Sequence, residues 1–294
     1  DAAALKASRR MSGHESFAAY VLAGTRPRGD PVAVAHGVAS KAKVEVAGHA
    51  LLVRVLDALT ASESVASTTV VGLPSAALEE PAFAAALRER RFAQVAGAAS
   101  PAASVAAVLA EAPAGTPVLV TTGDHALLSP AIVERFLTGA RAVGGDVAYG
   151  LVPYELVDAL LPGMRRTVLR FRDGAFCGCN LFAFQTPGAR SASAFWQRLE
   201  AHRKRPAALA RMLGPLTLLR YLTRRLSLAR GFERLSALSG ADIRPVVLPF
   251  GEAAVDVDKP EDLPVAETLL ARRAAQIAER GSQSSSAKAP LDGS

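Results

Sequence analysis

The chain has 294 residues, of which 50% are hydrophobic and 21% are charged, and its net charge is +7 at pH 7. This length supports one large core, and no run reaches the roughly 18 consecutive apolar residues that a membrane-spanning helix needs. The first residues lack the pattern of an export signal, and the two cysteines, Cys177 and Cys179, stand too close together for an ordinary disulfide. We therefore expect a cytoplasmic protein.

Apolar runs typical of strands alternate with helical apolar periods along most of the chain. Residues 1–15 and 281–294 lack both patterns and are predicted to be disordered, which leaves a single domain over residues 16–280. The predicted strands cover residues 17–23, 68–72, 117–121, 146–152 and 243–249, and the predicted helices cover residues 50–59, 81–91, 100–110, 130–140 and 260–278. Repeated strand-helix units predict a three-layer α/β/α fold with a mainly parallel, Rossmann-like sheet.

Late in the chain the pattern changes to that of a β-hairpin. Two strand-like runs, residues 167–171 and 176–184, flank the turn sequence Arg172-Asp173-Gly174. We interpret this hairpin as an inserted lid or a platform for a second substrate.

Three polar segments follow predicted strands and suggest where a ligand binds. They are Leu22-Ala23-Gly24 with Lys41 further on, Gly123-Asp124-His125, and Asp256-Val257-Asp258. The carboxyl ends of parallel strands meet at one edge of a sheet, where α/β proteins bind their ligands. Glycine, lysine and carboxylates at that edge suit a nucleoside triphosphate and its metal ion.

The order and spacing of these segments resemble the MobA-like NTP-transferase family, over residues 17–275. In that family a Leu-Ala-Gly strand end opens a loop whose backbone amides wrap the triphosphate, and a lysine follows seven residues before a glycine. Lys41 stands seven residues before Gly48 here. The resemblance implies a nucleotide-binding set of Leu22, Ala23, Gly24, Lys41, Ser100, Ser104 and Gly123. Thr25, Arg26 and Arg28 are further candidates in the loop, which departs from the family's pattern after Gly24, and which arginine grips the triphosphate stays open. The base-contacting segment, which includes Ser100 and Ser104, does not distinguish cytosine, uracil and guanine.

Transfer at an α-phosphate builds negative charge on oxygen atoms, so fixed donors and cations are required more than a protein nucleophile. We expect Lys41 and Asp124 to be catalytic, with Mg²⁺ as cofactor on Asp124. The resemblance implies that Asp256 is catalytic as well and that Asp256 and Asp258 help to hold the ion. Asp258 has an alternative role as N-cap of the closing helix, because Glu261 follows three residues later. In the loop before Lys41, Asp30 is interpreted as a turn residue rather than a functional one.

The acceptor side is predicted from the region of the hairpin. Arg165 and Arg166 are candidates for gripping an acceptor phosphate, since guanidinium groups match phosphate oxygens. Asn180 lies in a segment that resembles the family's acceptor pocket, and its amide is expected to bind an acceptor hydroxyl. The alternatives are solvated arginines and an amide that satisfies the hairpin edge.

Residues 198–234 carry ten basic residues against two acidic ones, a local net charge of +8. Leucines interleave at helical spacing, which predicts a basic helical insert over about residues 198–238. The pattern favours a helical cover with solvated arginines, and contact with the anionic inner surface of a membrane stays open. Nucleic acid is not expected as a partner, because aromatic residues do not interleave with the basic ones.

These observations predict a Mg²⁺-dependent nucleotidyltransferase that takes a nucleoside triphosphate and a phosphorylated small molecule and releases pyrophosphate. The acceptor is expected to be a sugar phosphate or alcohol phosphate, with the pterin of the molybdenum cofactor as a variant. Two alternatives stay open. One is a glycosyltransferase of related fold that uses Asp256-Val257-Asp258 as its metal motif, and the other is a non-catalytic nucleotide-binding or membrane-associated scaffold.

Overall fold

The computed structural model describes residues 16–25, 29–113, 115–163, 166–202 and 211–286. Its centre is an eight-stranded sheet in the order β10-β7-β9-β6-β1-β4-β5, with β8 paired to β9. The strands are β1 (Phe17–Leu22), β2 (Glu45–Val46), β3 (His49–Ala50), β4 (Val65–Val71), β5 (Ala93–Val95), β6 (Val118–Thr122), β7 (Val147–Pro153), β8 (Leu169–Phe171), β9 (Gly174–Phe184) and β10 (Ile243–Val247). The short strands β2 and β3 form a separate antiparallel pair.

Helices cover both faces of the sheet, which confirms the predicted three-layer α/β fold. They are α1 (Pro31–Ala35), α2 (Leu51–Thr60), α3 (Pro81–Arg88), α4 (Pro101–Glu111), α5 (Pro130–Val143), α6 (Tyr154–Leu160), α7 (Ala189–His202), α8 (Pro215–Leu222), α9 (Leu228–Ser239) and α10 (Asp262–Ser286). The pairings of β1 with β4 and β6, of β4 with β5 and of β7 with β10 are parallel.

The alternation of side chains along β1 shows how the core is divided. Phe17, Ala19 and Val21 face the cluster that includes α2, α3 and α5, whereas Tyr20 and Leu22 face the cluster of α4 and α7. Both faces are apolar because a parallel sheet covered by helices has no solvent-exposed face.

The helices start where sequence signals place them. The hydroxyl of Ser129 accepts a hydrogen bond from the backbone N–H of Ile132 at 3.4 Å, and Pro130 takes the first position of α5. Ser129 therefore caps this helix, which leaves the nearby Asp124 available for the cleft.

The predicted hairpin is present as β8 and β9, but it is not a lid. β9 runs antiparallel between β6 and β7 in the middle of the sheet. Its residues Cys177, Cys179, Leu181 and Ala183 are buried in the core because the strand is covered by helices. The hairpin is therefore part of the scaffold that shapes the cleft.

The basic segment spans several elements rather than one insert. It begins within α7 and continues through α8 and α9, while its residues 203–210 lie outside the described part. α10 extends to Ser286, past the point where a tail was predicted to begin, and residues 287–294 lie outside the description. In the described part of the chain, no helix has the length and apolar character needed to cross a membrane.

Candidate active site

A cleft of about 1160 Å³ opens at the carboxyl ends of β1, β4, β5 and β6. The edge is the one expected for an α/β sheet, because loops from neighbouring parallel strands converge there. The structure brings most of the predicted site residues together in this cleft. They are Leu22, Ala23, Gly24, Thr25, Lys41, Ser100, Ser104, Gly123, Asp124, Asn180, Asp256 and Asp258.

The four predicted arginines are not among these lining residues. Arg26, Arg28 and Arg165 lie outside the described residues. Arg166 is described and contacts Asp256 at the edge of the cleft.

Lys41 is at the electrostatic centre of the cleft. Its Nζ lies 2.5 Å from Asp124 Oδ2, 2.9 Å from the carbonyl oxygen of Val257 and 3.5 Å from Asp258 Oδ1. Burial disfavours the charged form of Lys41, but the nearby carboxylates outweigh this effect and raise its pKa. The side chain therefore remains a cation in a partly buried position.

Asp30 also faces this cation. Its Oδ2 lies 3.6 Å from Lys41 Nζ, and its Oδ1 accepts a hydrogen bond of 3.0 Å from the backbone N–H of Val32 at the start of α1. Asp30 therefore has more than the predicted turn role, because its side chain, which is 5% exposed, also lines the cleft. The sequence offered one signal, a carboxylate in the loop before the phosphate-binding lysine.

Asp124 projects from the end of β6 into the cleft. Gly123 donates a backbone hydrogen bond to Leu22 at 2.9 Å, and Val257 donates one to the backbone oxygen of Asp124 at 3.1 Å. Oδ2 of Asp124 binds Lys41, whereas Oδ1 is buried and has no hydrogen-bond partner among the described residues. A buried acceptor of this kind is costly unless a ligand satisfies it.

Asp256 forms the second acidic position and has two partners. Its Oδ1 accepts from Arg166 Nη1 at 2.5 Å, and its Oδ2 accepts from the side-chain amide of Asn180 at 3.1 Å. Burial, together with the negative charges of Asp258 and Asp124, raises the pKa of Asp256 to about 6, against the opposing effect of Arg166. Arg166 and Asn180, both predicted on the acceptor side, therefore meet at this carboxylate.

A bulge in β9 places Asn180. The pairing of β7 with β9 shifts between Tyr149, opposite Phe182, and Leu151, opposite Gly178. Asn180 lies in the extra stretch with φ of +52°, a left-handed conformation that asparagine tolerates better than most residues. The alternation of buried residues continues through the bulge, and the amide of Asn180, on the side away from the buried Cys179 and Leu181, donates its hydrogen bond to Asp256.

The alternative role of Asp258 as a helix cap is wrong. α10 begins at Asp262, and the carboxylate of Asp262 accepts hydrogen bonds of 2.9 Å from the backbone N–H groups of Asp258 and Lys259. Asp262 therefore fixes this turn itself, and the carboxylate of Asp258 faces Lys41 in the cleft.

Glycines shape the far end of the cleft. A Cβ atom on Gly97 would lie 2.9 Å from the Cα of Gly72. A Cβ atom on Gly72, whose φ is +77°, would lie 3.2 Å from the Cα of Gly97 and 3.3 Å from the Cα of Gly24. The hydroxyl of Ser104 is buried and accepts a 2.9 Å hydrogen bond from the backbone N–H of Ala98, so Ser104 fixes the loop after Gly97. The sequence analysis missed Gly72, because its role depends on two loops that meet only in the folded chain.

The parallel sheet and the charged cleft at its carboxyl edge place this chain in the class of α/β nucleotide-binding proteins. It belongs to the family of MobA-like NTP transferase domains, whose model matches residues 8–175, and it is therefore a nucleotidyltransferase. The predicted family is confirmed.

Solved structures agree with this assignment. A hypothetical transferase from Thermus thermophilus is 34% identical, with a TM-score of 0.71 over 84% of this chain and 99% of the other. 4-Diphosphocytidyl-2C-methyl-D-erythritol synthase from Anaerococcus prevotii is 12% identical, with a TM-score of 0.52 over 87% and 98% of the two chains. CMP:2-keto-3-deoxy-manno-octonic acid synthetase complexed with CTP is 15% identical, with a TM-score of 0.50 over 88% and 98%. The last two share the fold. No curated protein matches the chain.

Proposed function

We propose that this nucleotidyltransferase moves a nucleoside monophosphate from a nucleoside triphosphate to a phosphorylated small molecule and releases pyrophosphate. The observation that carries the proposal is the Lys41–Asp124 pair at the sheet edge, with Asp256 and its two donors at the same end of the cleft. One cation and two separate acidic positions suit a reaction between two anionic substrates.

The acidic residues fit Mg²⁺ as the cofactor. Asp124 has a buried, unpartnered Oδ1 among the described residues, and Asp256 and Asp258 add further hard oxygen donors. No three acidic, histidine or cysteine side chains of the described part are arranged around one metal position, so Asp124, Asp256 and Asp258 do not by themselves form the expected set of three ligands. Mg²⁺ is usually held by one or two carboxylates together with substrate phosphates and water, and we assign the first of these positions to Asp124. When bound, the ion would neutralise phosphate charge and polarise the α-phosphate.

The protein side chains supply the remaining parts of the mechanism. Lys41 is held charged by its carboxylate neighbours and places a positive charge beside the site where negative charge develops on phosphate oxygens. Ala23, Gly24 and Thr25 of the loop after β1 line the same cleft, and the absence of a side chain on Gly24 lets phosphate oxygens approach the backbone there. The acceptor phosphate oxygen is the nucleophile, so the chain itself needs none.

The acceptor is proposed to be a sugar phosphate or alcohol phosphate. Asp256 holds Arg166 and Asn180 together, so a guanidinium group and an amide lie on one side of the cleft. These groups suit a phosphate and a hydroxyl, respectively. A molybdenum-cofactor pterin is the variant with the same transfer chemistry.

The first experiment measures thermal stabilisation by CTP, UTP, GTP and ATP, each with and without Mg²⁺, in the wild type and in Asp124→Asn. We expect a Mg²⁺-dependent shift for at least one triphosphate that is absent in Asp124→Asn. Asp57→Asn is the matched control, because it removes a carboxylate that pairs with Arg90 outside the cleft. Stabilisation that is equal in Asp124→Asn and the wild type would contradict the proposal.

Pyrophosphate release from a panel of sugar phosphates and alcohol phosphates then tests the reaction itself. Release without a glycosyl product excludes the glycosyltransferase alternative. Nucleotide binding without turnover on any phosphorylated acceptor would favour the scaffold alternative instead.

We also propose that the enzyme works in the cytoplasm at an anionic membrane surface and docks through α8. This helix has no buried residue, and Leu216, Leu219 and Leu222 are between 57% and 69% exposed along one side. Its opposite side packs through Tyr221 against Phe171 of the hairpin. No acidic residue occurs between Glu200 and Glu233, so the charge around the leucines complements anionic lipid.

Flotation with vesicles tests this docking. We expect binding to vesicles that contain phosphatidylglycerol, little binding to phosphatidylcholine alone, and loss of binding when all three leucines are replaced by glutamine. Ile277→Gln, which changes a 65% exposed residue on α10, is the matched control. Equal binding of the triple variant and the wild type would overturn the proposal, and so would concentration-dependent dimerisation that the triple variant abolishes.

A further inference from the structure

The cleft has a charged end and a nearly neutral end. Lys41, Asp124 and Asp256 lie toward β6 and β9, whereas Gly72 and Gly97 follow β4 and β5. In the sheet order β6-β1-β4-β5, the outer two strands are three spacings apart, about 14 Å. A nucleotide with its phosphates at Lys41 therefore extends its base toward β5.

The neutral end contains one charged side chain among the described residues that line it. Gln197, Glu200 and Ala201, on the last turns of α7, line the cleft there. The carboxylate of Glu200 accepts a hydrogen bond from the hydroxyl of Ser100. That hydroxyl also accepts a 3.2 Å hydrogen bond from the backbone of Ala103, as the N-cap of α4. Ser100 is thus held by the helix start, and it orients Glu200.

The flat floor next to Glu200 suits the face of a planar base. Gly72 and Gly97 approach each other so closely that a side chain on Gly97 would meet the backbone of Gly72 at 2.9 Å. Ser100, three residues after Gly97, contacts Glu200, so this glycine surface and Glu200 line the same part of the cleft. A carboxylate only accepts hydrogen bonds, so it selects an edge that donates them.

We propose that Glu200 is the residue that selects the base and that it selects guanine; this rests on the proposed nucleotidyl transfer. Guanine presents a ring N–H beside an exocyclic amino group, and two adjacent donors match the two oxygens of a carboxylate. Cytosine and adenine present one exocyclic amino group, and uracil has none. Glu200 lies beyond residue 175, outside the part of the chain that the family model matches.

The test compares GTP with ITP, which lacks only the exocyclic amino group, and with UTP and CTP. Dissociation constants are measured by calorimetry in Mg²⁺ for the wild type, Glu200→Gln and Glu111→Gln. Glu200→Gln keeps the size of the side chain and an acceptor for Ser100, while Glu111→Gln removes a charge at the other end of α4.

We expect wild-type protein and Glu111→Gln to bind GTP about tenfold more tightly than ITP, because a charge-assisted hydrogen bond is lost with ITP. In Glu200→Gln the ratio should fall below about threefold, and ITP should also bind more weakly than it does to the wild type, because its ring N–H loses the charged acceptor. UTP or CTP binding tighter than GTP, or equal binding of GTP and ITP by the wild type, would overturn the inference and leave nucleotidyl transfer intact. An equal loss of affinity for all nucleotides in Glu200→Gln would also overturn the inference. That result would mean that Glu200 contacts the ribose or stabilises the loop rather than selecting the base. Binding of no triphosphate would remove the proposed function itself.

Discussion

At the scale of single residues, Lys41 keeps its charge in a partly buried position between carboxylates of three different segments. Asp30, Asp124 and Asp258 lie within 3.6 Å of its ammonium group, and the lysine side chain is only 15% exposed. The attraction between the ammonium group and the carboxylates offsets part of the free-energy cost of removing each charge from water. Removal of the cation therefore leaves the buried Asp30 and the mostly buried Asp124 without their counter-charge, while Asp258 is half exposed.

Lys41→Gln is expected to lower the free energy of unfolding by about 3 kcal/mol in metal-free buffer, because breaking a buried ion pair leaves uncompensated charge. Nucleotidyl transfer should fall by about 100-fold or more, since a charge that stabilises the transition state is lost. Urea unfolding measures the first effect, and pyrophosphate release measures the second.

Lys43→Gln provides the control two residues further on. Lys43 is also mostly buried, but its partner Glu80 is 49% exposed and regains water when the lysine is removed. We expect a loss of about 1 kcal/mol or less and nearly normal transfer. An equal loss of stability in the two variants would contradict the role given to the Lys41 cluster.

At the scale of elements, the bulge in β9 joins backbone geometry to chemistry. Asn180 adopts φ of +52° within a strand and thereby brings its amide to Asp256. Such a conformation costs energy for a residue with a Cβ atom, and it persists because the pairing with β7 on both sides holds it.

Asn180→Gly and Asn180→Ala remove the same amide but differ in tolerance of the left-handed conformation. We expect Asn180→Ala to be about 1 kcal/mol less stable than Asn180→Gly by urea unfolding. Both should show reduced transfer, because Asp256 loses a hydrogen-bond donor. Equal stability of the two variants would show that the bulge relaxes when the side chain changes.

The loops after β4 and β5 form a second element-level feature, the glycine floor of Gly72 and Gly97. Gly97→Ala is expected to cost about 1–3 kcal/mol, because its Cβ would meet backbone that has no room to move. Gly24→Ala is the control, since its Cβ would approach only the oxygen of Gly72, at 3.9 Å. Thermal melting of both variants measures the difference, and equal melting temperatures would contradict close packing of the floor.

At the scale of the whole molecule, a buried histidine links folding to pH. His125 follows Asp124 and is 1% exposed, and burial lowers its pKa to about 4 despite the opposing charge of Asp124. In the unfolded chain its pKa is near 6.5. The unfolded state therefore binds more protons than the folded state between these two values.

Global stability should consequently fall as the pH is lowered from about 6.5 toward 4, by up to about 3 kcal/mol from this residue. Above pH 7 its contribution is complete and constant. Urea unfolding in metal-free buffer at pH 7, 6 and 5 tests this, with His125→Gln as the comparison. We expect a shallower pH dependence in the variant, whatever its stability at pH 7, and equal slopes would contradict the assignment.

The sequence by itself determined the alternation of strands and helices, the three polar strand ends and the family, because these depend on local apolar periods and short motifs. It also placed Lys41, Asp124, Asp256 and Asp258 in one site, since parallel strands deliver their carboxyl ends to one edge. The start of α5 at Ser129 and Pro130 likewise depends on local sequence.

Only the tertiary structure decided which side chains touch. Lys41 binds the backbone of Val257, 216 residues further along the chain, and Glu200 meets Ser100 across 100 residues. The position of β9 inside the sheet and the contact between Gly72 and Gly97 are also visible only in the folded chain. Contacts of this kind depend on how the elements pack, which no local pattern contains. The position and neighbours of each site residue were therefore set by the packed sheet.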